Sequence, residues 1–374
     1  MRKRPSSFRA RVSILIAVFF AAVFSVPAFR TGDAGLWTLA AAVPGAMLLM
    51  LLLPSRIIRL DRPSLSAAMV LCGFGIMAPA MADPGAAVTQ ALYSAGSLLF
   101  FFVAAVLVRS SRPSVPAGAS FAVAALGLAS CPLWLDGSIE FATGGTALLL
   151  VAVTVFLSLR QYLPSLCISL LGVLLFLLSH SIAPALVWGV ACILVFWAAS
   201  GSGVWTTVSF ASISALIASW IGFFPLSAET AAESSLSRLV GLPLLAPDVP
   251  HEPGSVTGPL FFLLAEHCGL VFLLFVLLLV CILLLRGASL AGSARRMFHA
   301  SLALGAMLLF GLRCLLFMGS LFGALPFPAA GIPFLSGSVP QLCSDFFLLG
   351  LLSGVSARNE ADLEEDTRLS MFAR

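Results

Sequence analysis

Apolar stretches of about one bilayer crossing recur from one end of this sequence to the other, and no other feature limits its fold as strongly. A membrane hydrocarbon core about 30 Å thick is crossed by about 20 helical residues, because an α-helix rises about 1.5 Å per residue. The backbone of such a stretch must satisfy its own hydrogen bonds, so the choice lies between helices and a closed barrel. A barrel strand alternates lipid-facing and lumen-facing residues, whereas these runs are continuously apolar. Only 10% of the residues are charged, against about 25% in an ordinary soluble chain. The fold class that follows is all-α, a polytopic transmembrane helix bundle of 10–12 spans.

Twelve candidate spans can be placed: Val12 to Phe29, Gly35 to Leu53, Leu65 to Ala82, Val88 to Val108, Ala117 to Leu135, Phe141 to Leu159, Leu163 to Ser179, Pro184 to Ala199, Val204 to Phe224, Pro259 to Leu285, His299 to Leu321 and Ser338 to Ser356. The first has the basic start and apolar length of a signal peptide. It is read as a membrane helix because another span follows directly and no tidy small-residue cleavage site intervenes. Lys and Arg are retained on the cytoplasmic side. With the N-terminus inside, only Arg30 and Arg238 fall outside and Arg313 falls within a span; every other basic residue is cytoplasmic. Both termini are therefore expected in the cytoplasm. Residues 1–374 form one integral membrane domain, with a large extracytoplasmic loop at 225–258 and an acidic cytoplasmic tail at 357–374.

Several function classes find no support. No phosphate-binding glycine loop, nucleotide fingerprint or nucleophile elbow occurs, and nothing suggests nucleic-acid binding. The eight cysteines lie in or beside apolar segments without a CxxC pair, which suits small packed hydrophobes. The four histidines lack zinc-site spacing, so no metal site is assigned. No cofactor is identified, although the acidic outer loop is compatible with a divalent cation.

Charge inside a bilayer is costly, about 2.5 to 3.5 kcal/mol on insertion scales, so an intramembrane ionisable residue is a candidate for pairing or function. Glu266, Arg313 and Asp345 each lie about two turns from the outer end of one of the last three spans. The sequence predicts that they share one polar cluster. Its role is either to fix helix packing or to open a polar centre toward the outer face. The outer loop adds Glu229, Glu233, Arg238, Asp248, His251 and Glu252, stiffened by five prolines from Pro243 to Pro259. Its carboxylates suit a general base better than anion capture. A solvated spacer is the plainer reading of the same loop.

The last hundred residues carry a motif. Leu325-Pro326, then Pro333-Phe334-Leu335-Ser336, then Gly350-Leu351-Leu352 and Ser356 resembles the closing motif of the SEDS family of shape, elongation, division and sporulation proteins. Upstream, the stretch from Phe261 to Val271 is similar to the family's FIFAVLAEELGLVG, and Gly319 and Gly323 fit its NIGxxxG. The resemblance covers about Leu260 to Ser356; Ala185-Leu186-Val187 adds a short match to the ALV after the family's PDLGT. It implies a peptidoglycan glycosyltransferase in the bacterial cytoplasmic membrane, polymerising lipid II, an undecaprenyl-linked sugar, at the outer face in cell division or cell-shape control. It implies a class B penicillin-binding protein as partner. It also implies ten spans, so the two between Ala117 and Leu159 read as additional.

Departures from the family pattern are as informative. Gly258 stands at the family's catalytic aspartate, and His180-Ser181-Ile182-Ala183-Pro184 stands at PDLGT. No PSELAK segment is visible near Val88 to Val103. Arg313 and Asp345 replace a family Gln and Asn. A catalytic base would have to come from Glu252, with Asp248 and then Glu266 as the next choices, since Pro253-Gly254-Ser255 can turn Glu252 back toward the helix mouth. Two further readings stand beside catalysis: a non-catalytic scaffold or regulator of cell-wall synthesis, and a flippase or transporter of lipid-linked sugars.

Overall fold

The computed structural model describes residues 6–52, 61–80, 84–110, 113–134, 139–223, 259–321, 325 and 331–372. Among them are twelve α-helices: α1 (Ser6–Thr31), α2 (Ala34–Leu52), α3 (Arg62–Ala80), α4 (Pro84–Ser110), α5 (Val115–Ser130), α6 (Ile139–Ser158), α7 (Tyr162–Leu178), α8 (Ile182–Ser200), α9 (Gly203–Phe223), α10 (Pro259–Ser293), α11 (Met297–Leu321) and α12 (Val339–Phe372). Each predicted span falls on one of them. Eleven are long and apolar enough to cross a membrane, and α7, with 17 residues, is the shorter apolar twelfth. The acidic segment read as a tail continues α12 as helix to Phe372.

Helices α3, α6 and α12 form the centre, with about four-fifths of their spanning residues buried, whereas only 11% of α9 is. The α5–α6 pair, expected to be additional, is not an appendage: α6 packs on α5, α7, α8, α11 and α12. Its interior position follows from small residues that admit neighbouring backbones. A Cβ on Gly145 would stand 3.2 Å from the Ala129 nitrogen of α5. On α12, a side chain at Gly350 would run into the Phe101 carbonyl of α4, and one at Gly354 would lie 3.0 Å from the Ala105 carbonyl.

Two successive turns, α6 to α7 and α7 to α8, close in the same way. Arg160 and His180 adopt left-handed φ values of 59° and 55°. The next residue in each turn, Gln161 or Ser181, donates its N–H back to Phe156 or Phe176 at 2.9 Å, which satisfies a carbonyl of the helix end. A non-glycine residue in this conformation costs about 1 to 2 kcal/mol. The tight hairpins set α6 and α8 starting on one face of the bundle. With alternating crossings, α10 and α12 also start there, and α9 and α11 end there.

Candidate functional site

The segment from Gly331 to Ser338, which carries the second part of the closing motif, is non-helical yet mostly buried. Irregular backbone at membrane depth needs protein partners for its polar groups, and side chains from α4 and α12 supply them. Gln90 of α4 donates through Nε2 to the Ser336 carbonyl at 2.8 Å. Gln341 of α12 donates to the Gly331 carbonyl at 3.3 Å and accepts from Ser336 Oγ at 3.0 Å. Ser336 Oγ in turn accepts from the Ser338 N–H at 3.1 Å.

Asp345 anchors the same segment from α12. Its Oδ2 accepts the Phe334 N–H at 2.8 Å, and its Oδ1 accepts from Arg313 Nη1 of α11. Both charged side chains are almost wholly buried. Phe334 sits in the left-handed region at φ 65°. Its ring packs between Phe310 and Phe346 at centroid distances of 5.7 and 5.3 Å, and Gly75 of α3 leaves room for its carbonyl. Strain at a buried non-glycine residue persists only where the surroundings over-determine it; here a carboxylate, two rings and a glycine do so.

Arg313 spends one N–H donor on Asp345, while its Nε and Nη2 find no hydrogen-bond partner among the described residues. The side chain lines a narrow, mainly apolar crevice between α6, α8 and α11, with room for about one water, together with Thr143, Thr146, Ala183, Pro184, Val187 and Leu316. Ala183 and Pro184 belong to the stretch standing at the family's PDLGT. Thr143 and Thr146 are buried, each donating its hydroxyl hydrogen to a helix carbonyl at 2.6 Å. Ser344 Oγ donates to the Thr143 carbonyl at 3.0 Å, tying α12 to the same wall.

Of the residues singled out from sequence, Arg313 and Asp345 are brought together, and Pro333, Phe334, Ser336 and Gly350 lie buried around them. Glu266 lies on α10, but its side chain is outside the described residues, as are Asp248, Glu252, Gly258 and Pro326. Sequence reasoning missed Gln90, Gln341, Thr143 and Thr146. The signal for Gln90 was a large amide within the apolar run of α4; the threonines gave none, because a spanning helix accommodates Thr by bonding its hydroxyl to its own backbone.

A second ion pair lies at the opposite face, where α3 begins and α10 ends. Arg286 reaches Asp61 Oδ1 through Nη2 at 2.6 Å and Nε at 2.7 Å, and Ser64 Oγ donates to Asp61 Oδ2. Arg286 is a third exposed, and the pair staples the two helices.

No protein-family model matches the chain, and no curated protein matches it by sequence. Solved structures do match. The rod shape determining protein RodA of Thermus thermophilus superposes with a TM-score of 0.56 at 18% identity, over 80% of this chain and 97% of RodA. A RodA variant with one aspartate changed to alanine matches equally well. The fold is that of RodA. A chain from a peptidoglycan synthase complex, described as coordinating polymerization and crosslinking, matches with a TM-score of 0.59 at 19% identity, over 80% of this chain and 98% of that one. Since nearly all of RodA is covered by four-fifths of this chain, the remainder is additional to the RodA frame.

Proposed function

We propose that this protein is a divergent SEDS-type cell-wall protein of the bacterial cytoplasmic membrane, a glycosyltransferase that polymerises lipid II at the outer face. The observation that carries this reading is the closing motif itself. On a RodA fold, its Pro333-Phe334-Leu335-Ser336 segment is buried as irregular backbone beside the Arg313–Asp345 pair, on the bundle face where α9 ends and α10 begins. The positive-inside asymmetry makes that face the outer one.

Chain extension needs a base to remove the proton of the attacking sugar hydroxyl while the lipid diphosphate leaves. With glycine at position 258, Glu252 takes this role; Asp248 is second in order and Glu266 third. A class B penicillin-binding protein is the partner, since polymerised strands require crosslinking. The same Gly258 favours a second reading, a non-catalytic scaffold that keeps the fold and the partner surface. Purified protein incubated with lipid II, with and without the penicillin-binding protein, decides between them: glycan polymer is expected, and its absence under both conditions supports the scaffold.

A further inference from the structure

We infer that Glu140, in the first turn of α6, accepts hydrogen bonds from the sugar of the lipid-linked substrate, through a hydroxyl pair or an acylamino N–H, and so orients that sugar at the outer mouth of the bundle. This deepens the reading above and rests on its lipid-linked sugar substrate. Two bonds fix the turn that carries Glu140. Thr143 Oγ donates to the Glu140 carbonyl at 2.6 Å, and Ser344 Oγ of α12 donates to the Thr143 carbonyl at 3.0 Å. The Glu140 side chain accepts from the Ser338 hydroxyl, and the Ser338 N–H donates to Ser336 Oγ at 3.1 Å. The carboxylate thus stands against the closing segment, held from α6 on one side and α12 on the other.

Among the described residues, the other carboxylates toward this face are committed elsewhere. Asp345 is enclosed with Arg313, and Asp33 caps α2 by accepting the Gly35 N–H at 2.6 Å. Glu140 is half-buried, and the Ser338 hydroxyl takes up one of the roughly four lone-pair positions that a carboxylate offers. An acceptor-only group open on one side is matched by donors, and hydrogen bonds to a carboxylate are stronger than those to a neutral oxygen. Sugar hydroxyls and an acylamino N–H supply such donors. A diphosphate supplies only acceptors and carries like charge, so Glu140 does not hold that part of the substrate. Depth agrees with this division. Glu140 opens its membrane span, at the boundary between hydrocarbon and water, which is where the head of a lipid lies when its chain is in the bilayer.

Glu140 is therefore a specificity-determining residue for the sugar, distinct from the loop carboxylate that removes the proton. The test measures binding of lipid II and of undecaprenyl diphosphate, which keeps the lipid and diphosphate but lacks the sugars, to the purified full-length protein by native mass spectrometry. Glu140→Gln keeps the size of the side chain and an acceptor for Ser338. It should weaken lipid II binding about tenfold and leave undecaprenyl diphosphate binding unchanged, which also reports intact protein. Asp33→Asn removes a charge from the same face and retains the cap, so it should leave both affinities unchanged. Unaltered lipid II binding in Glu140→Gln overturns the inference. Parallel loss of both lipids also overturns it, since Glu140 would then only hold α6 against α12, and an equal loss of lipid II in Asp33→Asn would reduce the effect to net charge. Selective loss in Glu140→Gln from a wild type that makes no polymer would remove the glycosyltransferase reading and leave this one standing; polymer from wild type with unaltered binding in Glu140→Gln would do the opposite.

Discussion

Asp345 holds three things at once: the charge of Arg313, the N–H of a strained Phe334, and through them the join between α11, α12 and the closing segment. Removing one member of a buried pair leaves an uncompensated charge, at a cost of about 3 to 5 kcal/mol. Arg313→Leu is accordingly expected to lower the thermal midpoint and folded yield in detergent, and adding Asp345→Asn should recover part of the loss. Purely additive losses would mean that the two side chains are not coupled. The pairing was legible in the sequence because charge inside a spanning helix is rare and the two residues lie at matching depth. What Asp345 does with its second oxygen was not legible, because no pattern of residue types reveals that Phe334 turns into the left-handed region.

At the scale of elements, packing of α4 on α12 depends on Gly350 and Gly354. Gly350→Val would drive a side chain into the Phe101 carbonyl, backbone that cannot move aside without shifting α4. A loss of at least about 1 to 3 kcal/mol is expected, read as a lower thermal midpoint, whereas the same change at Gly127, which has open space around it, should have little effect. All twelve helices were legible because each apolar run is long and sharply bounded by Pro, Gly, Ser or Arg. The burial order was not. Helix α6 reads as additional from a count of spans, yet it is central, since hydropathy measures compatibility with lipid and is equally satisfied by contact with other helices.

At the scale of the whole molecule, short turns and alternating crossings place the crevice, the closing segment, the end of α9 and the start of α10 on one face. Retention of Lys and Arg inside would make that face the outer one. In a variant stripped of native cysteines, a membrane-impermeant thiol reagent should label Ser237→Cys and spare Ser293→Cys in intact cells; the reverse pattern would invert the bundle. The candidate base is the part that sequence ranks and geometry does not reach, since Asp248 and Glu252 belong to the polar segment between α9 and α10. The most direct measurement is lipid II polymerisation by purified protein with its penicillin-binding partner, comparing wild type, Glu252→Gln and Gly258→Asp. Wild type should make glycan polymer, and Glu252→Gln should lower the rate by about 10² to 10⁴ while leaving expression intact. No polymer from wild type, and none from Gly258→Asp, would contradict a catalytic protein.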